Sequence, residues 1–494
     1  MSTSGEQDNG LVCFTNCFLP LEDGTLVERD LWIDAEKGVI LDAQRTFYTG
    51  RRRPKKVIDL QGNILSPGFI DVQINGAYGF DFSIYDGDDD KYEAGLKMVA
   101  ERIVETGVTS LLPTVITQER SLYPKLLSLL HPHSFPSSAN LLGWHAEGPF
   151  LQGSKRGAHA QSFLVNAPAG LKSIEEVYGK DNLAAGEDNS VRVITAAPEL
   201  EGLMESIGPL SEQGVIFSIG HSTASSRVAT AAVRCGARLV THLFNAMPQL
   251  HHRDPSIIGL LGAGGPHSSS LPPTPSHSKK SSLSLVSGAL SAKSVRGGGT
   301  EALTEGPSAF GTPGGSASPM GANAKSDLHA QIVALGESLE GREAFQRPYY
   351  GIIVDGIHSH PNSVRLAYTA HPEGCILVTD AMAMLDPHLP DGVHEWRDGK
   401  RLVKNGERLF IEGTDTLAGS VVTMDTCVRK FKVFTSTSIG QAILCATYNP
   451  AKCLGIENKK GTLRGNADAD FVVLSHEGKV LSTWVAGREV WKKA

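Results

Sequence analysis

Residues Val215–Ser222 read VIFSIGHS. Four of the first five are apolar and β-branched or aromatic. A near-continuous run of this kind suits a parallel strand covered on both faces rather than a strand with one wet side. The run ends in Gly-His-Ser, which puts an imidazole where a strand gives way to a loop. Segments with helical spacing of apolar residues flank it, Leu203–Gln213 before and Ser225–Cys235 after. The local unit is therefore helix, strand, helix.

Seven more runs of this kind occur. Upstream are Gly68–Ile74 (GFIDVQI), Ser110–Val115 (SLLPTV), Leu141–His145 (LLGWH) and Arg192–Ala196 (RVITA). Downstream are Leu239–Leu243 (LVTHL), Tyr350–Val354 (YGIIV) and Cys375–Thr379 (CILVT). Helical patterns such as Tyr92–Glu105 separate them. Eight strand–helix units in series predict an α/β fold, a (β/α)8 barrel of the TIM type.

The ends of the chain read differently. Leu11–Ile58 is a succession of short strands and turns, and Phe471–Val490 alternates apolar and polar residues. Both ends are expected to pair into one small β-sandwich domain beside the barrel. The expected division is 1–66 and 459–494 for that domain and 67–458 for the barrel. The barrel pattern is interrupted at about 263–346. There, Ala263–Ala322 is dominated by Gly, Ser, Pro, Ala and Thr and cannot bury enough apolar area to offset its ordering entropy, which predicts disorder. A helix is predicted at Lys325–Leu339. Long surface insertions cost little closure entropy, so a solvated loop off the barrel rim is expected.

Composition narrows the function classes. The 494 residues carry 46 Lys plus Arg against 53 Asp plus Glu, a net charge of −7. A mildly acidic surface argues against nucleic acid as a partner, since phosphate neutralisation needs a basic face. No apolar run reaches the roughly 18 residues of a membrane span, and the polar N-terminus carries no secretory pattern. Seven scattered cysteines without knuckle spacing read as reduced thiols of a cytoplasmic protein.

Barrel enzymes place reacting groups at the C-terminal ends of their strands. Strand three ends in His145-Ala-Glu147, strand five in Gly220-His221, and strand six carries Thr241-His242 followed by Asn245-Ala246. Strand seven ends in Asp355-Gly-Ile-His358 and strand eight in Thr379-Asp380. One of these residues alone reads as a cap or a turn; together at one end of one barrel they read as a metal-dependent hydrolase. A borderline divalent cation takes imidazole nitrogens and a carboxylate and leaves a position open for water, whose pKa it lowers. Glu147, His221 and His242 suit the cation, and Asp380 suits transfer of the proton. His145 lies two residues before Glu147 on the same face and is expected to support rather than ligate.

Other motifs are set aside. His131-Pro-His133 ends a Leu-rich helix, and Asp86–Asp90 suits a helix N-terminus better than a calcium loop. In His251-His252-Arg253 the arginine is the expected functional member. Cys13 and Cys17 fall in a β-edge segment and need no role.

At these residues the chain resembles the amidohydrolase superfamily and, within it, the N-acetylglucosamine-6-phosphate deacetylases. The matching stretches are SPGFIDVQINGAYGFDF (Ser66–Phe82), GWHAEGPFL (Gly143–Leu151), KRGAH (Lys155–His159) and GHSTA (Gly220–Ala224). They continue with THLFNAMPQLHHRDP (Thr241–Pro255), DGIHSHP (Asp355–Pro361), LVTDAM (Leu377–Met382) and TLAGS (Thr416–Ser420). The resemblance implies the barrel with its β-sandwich and deacetylation of a phosphosugar in amino-sugar catabolism. It implies one divalent cation per subunit on Glu147, His221 and His242, zinc first, with iron, cobalt or manganese as alternatives. It makes Asp380 the acid/base and His159 the group that polarises the acetamide carbonyl. Ala158, Asn245, Ala246, His358, Leu417, Ala418 and Gly419 become substrate contacts. Arg253 becomes a phosphate ligand reaching the neighbouring subunit's site, hence a homodimer.

The first strand departs from the wider superfamily. Where many members carry His-x-His and a second metal, this chain has Gln73-Ile-Asn75, so a mononuclear site is expected. Cyclic-amide hydrolases and N-acyl amino acid deacylases, which usually need that pair and often a bridging Lys, fit less well. A catalytically silent scaffold is the alternative of another class, and the intact ligand positions weigh against it.

Overall fold

Eight strands pair edge to edge in chain order, every pairing parallel. They are β1 (Phe69–Ile74), β2 (Val108–Ile116), β3 (Trp144–Glu147), β4 (Val191–Ala196), β5 (Ile216–Ile219), β6 (Leu239–Val240), β7 (Tyr349–Ile353) and β8 (Cys375–Val378). Each overlaps a predicted run. The computed structural model describes residues 9–184, 190–264, 345–396, 399, 401–414 and 417–494. The predicted disorder at 263–322 lies outside these residues except at its first two positions, and the helix predicted at 325–339 lies outside them entirely.

The ring closes just past the strand ends. The Asp380 N–H donates to the Gln73 carbonyl at 2.8 Å, and the Asn75 N–H donates to the Ala381 carbonyl at 2.8 Å. Helices Asp89–Arg102, Tyr123–Leu129, Leu171–Tyr178, Ile207–Glu212, Ser226–Arg234, Pro361–Ala370 and Met424–Thr435 cover the outside. After β6 the described chain forms a 3₁₀ turn at Ser256–Gly262 instead. β1, β2, β3 and β8 are buried at every position, which is why they read as continuous apolar runs.

Two predicted strands need correction. The run Leu141–His145 divides: Asn140–Leu141 pairs on β2, Gly143 turns with φ of 100°, and β3 begins at Trp144. In the run Leu239–Leu243 only the first two residues are strand. The rest bends because His242 and Phe244 adopt positive φ.

The two ends of the chain share a β-domain. Ile64–Pro67 pairs antiparallel with Phe471–Leu474, which continues into Val480–Val485 and Arg488–Lys492. A second sheet orders Val39–Leu41, Leu31–Asp34, Leu11–Thr15 and Lys56–Asp59. Between them Phe14, Phe471 and Trp484 meet with ring centroids 5.0–5.4 Å apart. Aromatic burial on this scale supplies much of a small core.

One excursion leaves the ring among the described residues. After β8 a three-stranded sheet (Gly392–Glu395, Arg401–Asn405, Arg408–Ile411) packs Leu402 and Leu409 on Met382, Met384 and Ala418. Between β6 and β7 the described flanks are clasped by Arg347, whose guanidinium donates to the Leu261 carbonyl at 3.1 Å and to the Ala370 carbonyl at 2.8 Å. Arg347 lies two residues before β7, so the clasp is at the N-terminal face of the barrel. No described helix is long and apolar enough to cross a membrane.

Candidate active site

The C-terminal ends of β3, β5, β6 and β8 bring Glu147, His221, His242 and Asp380 into the barrel mouth. The backbone there is unusual. His221, His242, Ala246 and Asp380 have φ of 48°, 28°, 51° and 46°, a region that disfavours residues with a Cβ and costs of order 1–3 kcal/mol each.

Glu147, His221 and His242 are each less than 5% exposed. The His221 Nε2 lies 2.8 Å and the His242 Nε2 3.1 Å from Glu147 Oε1, and the two nitrogens are 3.1 Å apart. Burial raises the Glu147 pKa, but hydrogen bonds from His159, His221 and His242 outweigh it and hold the carboxyl well below its ordinary range. The opposite Glu147 oxygen, Oε2, accepts from the Gln73 amide at 3.3 Å.

His159 also joins this group, its Nε2 3.9 Å from Glu147 Oε1. Geometry alone would allow Glu147, His159 and His221 as a ligand set. The neighbours of each ring decide otherwise. The Thr117 backbone N–H donates to His159 Nδ1 at 3.2 Å, so in the neutral ring the proton sits on Nε2 and points into the site. For His221 the partner of Nδ1 is the Lys155 carbonyl at 2.7 Å, which accepts a proton from Nδ1, so that the neutral ring, once the proton shared with Glu147 is lost, presents its Nε2 lone pair to a cation. His159 is arranged to donate and His221 to coordinate.

Asp380 is fixed by the first strand. Its Oδ1 accepts from Asn75 Nδ2 at 2.7 Å and from Gln73 Nε2 at 3.3 Å. Burial, and then the charge of Glu147, push its pKa up to about 6. That value suits a group that must take and return a proton near neutrality.

Residues 320–490 match the amidohydrolase family. The N-acetylglucosamine-6-phosphate deacetylase of Bos taurus is 38% identical over 485 residues, 98% of this chain and 96% of that protein. The enzyme of the same name from Caenorhabditis elegans is 36% identical over 489 residues, again 98% and 96%. This chain belongs to the N-acetylglucosamine-6-phosphate deacetylase family. A solved structure of a Mycobacterium smegmatis variant of this deacetylase, in complex with N-acetyl-D-glucosamine-6-phosphate, shares the fold. Its TM-score is 0.66 at 22% identity, covering 98% of this chain and all of that one.

The amidohydrolase family is metal-dependent, and the buried donor set of this deacetylase-family chain fits a cation. One carboxylate oxygen and two imidazole nitrogens converge within 3.1 Å, and His242 Nδ1 is buried without a hydrogen-bond partner. His145 stands apart from them. Its Nδ1 meets the Val72 carbonyl at 3.0 Å and its Nε2 the Thr195 hydroxyl at 2.7 Å. Burial lowers its pKa to about 4, so it is a neutral ring supporting the barrel below Glu147.

The remaining predicted contacts are distributed around the mouth. Asn245 and Ala246 follow His242, and the Ala246 carbonyl accepts from the Ser222 N–H at 3.2 Å, joining the loops after β5 and β6. His358, after β7, has its Nδ1 2.6 Å from Asp355 Oδ2. Leu417 bridges to Phe410, Ala418 is buried, and Gly419 has φ of 84°. A Cβ on Gly419 would lie 2.6 Å from Met382 Cγ, so only glycine lets this loop press against the segment after Asp380. Ala158 is exposed beside His159. Arg253 is exposed in a turn pinned by Asp254, and none of the cluster's hydrogen bonds reaches it.

One of the motifs set aside needs correction: Cys13 lies in Leu11–Thr15, which is paired on both sides, with Leu31–Asp34 and Lys56–Asp59, and is therefore an interior strand rather than an edge. The others behave as expected. Asp88 caps the helix Asp89–Arg102 through the Lys91 N–H, and His131 and His133 bond only nearby carbonyls. Sequence reasoning missed Glu199, on the loop after β4. Its carboxylate accepts from Ser222 Oγ at 2.7 Å, the Thr223 N–H at 2.6 Å and Thr223 Oγ1 at 3.0 Å. These bonds anchor the two residues after His221, whose backbone is strained. The signal was available, since Ala197-Pro198-Glu199 is itself a strand end.

Proposed function

We propose that this chain hydrolyses the acetamide of N-acetyl-D-glucosamine 6-phosphate, giving D-glucosamine 6-phosphate and acetate. The observation that carries the reading is the set of proton positions imposed by neighbouring backbone groups. His221 turns a lone pair inward, His159 turns an N–H inward, and Asp380 stands between amide donors with its pKa near neutrality.

Glu147, His221 and His242 hold a single divalent cation, zinc first, with iron, cobalt or manganese as alternatives. When bound, that cation supplies acidification of a water and positive charge against a developing oxyanion. Gln73 and Asn75 occupy the places of a His-x-His pair, and both amides are engaged with the carboxylates, which supports a mononuclear site. His159 Nε2–H donates to the substrate carbonyl as negative charge builds on its oxygen. Asp380 accepts the proton of the attacking water and returns it to the departing sugar nitrogen. Asn245, Ala246, His358 and the 417–419 loop hold the sugar and position its amide. The exposed turn of Arg253 suits an arginine that completes the phosphate site of a neighbouring subunit in a homodimer. The seven cysteines, all unbridged, suit a cytoplasmic setting.

The test is acetate release from N-acetylglucosamine 6-phosphate beside the unphosphorylated sugar, with bound metal quantified. Turnover of the phosphorylated sugar alone, at about one metal per subunit, is the expected result. Bound metal without turnover would discard the substrate, and neither metal nor turnover would discard the hydrolase.

A further inference from the structure

The two histidines of the cluster are held differently. His221 has its Nδ1 on the Lys155 carbonyl, and the two residues after it are tied to Glu199. His242 has neither device. Its Nδ1 meets no partner among the described residues, β6 ends two residues before it, and its φ is 28°, outside the favoured regions. Backbone bonds tether its flanks, from the Thr241 N–H to the Ile219 carbonyl at 3.0 Å and from the Leu243 N–H to the Gly351 carbonyl at 2.7 Å. A further hold comes from the side chain of Thr241.

Thr241 Oγ1 lies 2.6 Å from Thr195 Oγ1 and 2.5 Å from Ser218 Oγ, and Thr195 Oγ1 lies 2.7 Å from His145 Nε2. No residue in this row is more than 1% exposed. One carbonyl sets the direction of every proton along it. The Val72 oxygen can only accept, so His145 Nδ1, 3.0 Å away, carries the hydrogen and the neutral ring's Nε2 accepts. Thr195 must then donate to that nitrogen, Thr241 to Thr195, and Ser218 to Thr241, since each hydroxyl has one hydrogen. Bonds aligned head to tail in a dry interior strengthen one another. The row runs through space that Gly220 leaves open: a Cβ there would lie 2.7 Å from Thr195 Cγ2 and 2.8 Å from Thr241 Cβ. The glycine before His221 thus makes room for the threonine before His242. Asp380, with φ of 46°, also follows a threonine tied to a buried group, Thr379 Oγ1 donating to Asp71 Oδ2 at 2.5 Å.

Building on the cation site read above, we propose that this one-way row of hydroxyls positions His242 for the cation, with Thr241 and Thr195 as its positioning residues. Thr195 lies on β4, which carries none of the three ligands, so the loss of its hydroxyl reaches the cation only through the row.

The test reads zinc affinity of the full chain by chelator competition, together with the absorption spectrum of the cobalt-loaded protein. Thr195→Val and Thr241→Val keep the side-chain shape and remove one hydroxyl. Each should weaken zinc binding at least about tenfold, the scale on which groups behind metal ligands act, and shift the cobalt bands. The double variant should bind no more than about threefold worse than the weaker single, because one row is broken only once. Thr195→Ser and Thr241→Ser keep the hydroxyl and should stay within about threefold of the unaltered protein. Ser218 only donates within the row, so Ser218→Ala leaves every other bond in place and should also stay within about threefold. Where a Val variant does not fold, the Cys variant at that position, a weaker donor, replaces it and should lose at least about threefold. Zinc affinity and cobalt bands unchanged in the folded variants would overturn the positioning role, whatever the thermal midpoint does, and leave the cation site standing. Additive losses in the double variant, or a Ser218→Ala loss as large as that of Thr241→Val, would overturn the one-way row. Failure of the unaltered protein to bind zinc or cobalt would remove the cation reading and the row's role together.

Discussion

The barrel mouth and the β-domain are both tightly buried, yet they spend that burial differently. In the β-domain, Phe14, Phe471 and Trp484 stack into a core whose strands are regular and paired. In the mouth, one carboxylate oxygen and two imidazole nitrogens crowd within 3.1 Å of one another, two carboxylates share one amide donor, and four side-chain-bearing residues hold positive φ. The first arrangement lowers free energy by itself. The second is unfavourable until a cation and a substrate complete it, and the rest of the fold must hold it in place. Changes in the mouth should therefore show in activity, and changes in the β-domain in stability.

The sharpest break of that contrast is Asp380→Asn. It should lower kcat by about 10²–10⁴-fold with metal still bound and the thermal midpoint unchanged or raised, since a buried carboxyl is replaced by a neutral amide. Steady-state kinetics and a melting curve on the same preparation check both halves. Phe14→Ala should do the reverse. A loss of about 3–5 kcal/mol in denaturant unfolding is expected, with kcat unaltered in the fraction that remains folded.

Glu199→Ala tests a residue between the two classes. It touches neither cation nor substrate in the proposed scheme, but it anchors Ser222 and Thr223 behind His221. Metal affinity should fall about 10–100-fold, read by chelator competition, and Glu199→Gln should restore part of it. Unchanged affinity in Glu199→Ala would mean that the strained backbone at His221 holds without the anchor.

The smallest effect is a divergence with pH. Burial pushes Asp71 up to about 7, and burial with the Glu147 charge pushes Asp380 up to about 6. Asp380 must be ionised to accept a proton, so kcat/KM should fall as pH drops through about 6. Stability runs the other way. Both carboxyls bind protons more tightly folded than unfolded, where the pKa is about 4. Their favourable contribution is whole below about pH 4 and is lost as pH rises through about 6 to 7. Metal-free protein should show this as a declining thermal midpoint between pH 5 and pH 8, flattened in Asp71→Asn.

Much of this architecture was legible before any coordinates. Continuous apolar runs reveal parallel strands because both faces are covered, and Glu147, His221, His242 and Asp380 could be read as strand-end residues. Their convergence with His159 depended on the resemblance, since His159 lies on a loop with no periodicity to place it. What stayed hidden was carried by pairings between distant positions. Nothing in the order of residues says that the Thr117 N–H sets the tautomer of His159, or that Gln73 spans Glu147 and Asp380. The truncated sixth strand was hidden for a similar reason: Leu239–Leu243 has strand composition throughout, but the turn of His242 into the mouth overrides it. The sheet at 392–411 has short, half-exposed strands that carry no continuous run.

The Arg347 clasp has a consequence for how the ring could be cut and rejoined. It fastens the chain before β7 to the end of the turn after β6 on the face away from the mouth, so the two strands keep their register through contacts outside the segment 265–344. New chain ends opened there would leave every described strand pairing and every predicted site residue on one side or the other of an already sealed joint. The barrel is in this sense a closed bracelet with its fastening opposite the setting, and a circularly permuted gene would find its most forgiving opening in the segment that this fastening bypasses.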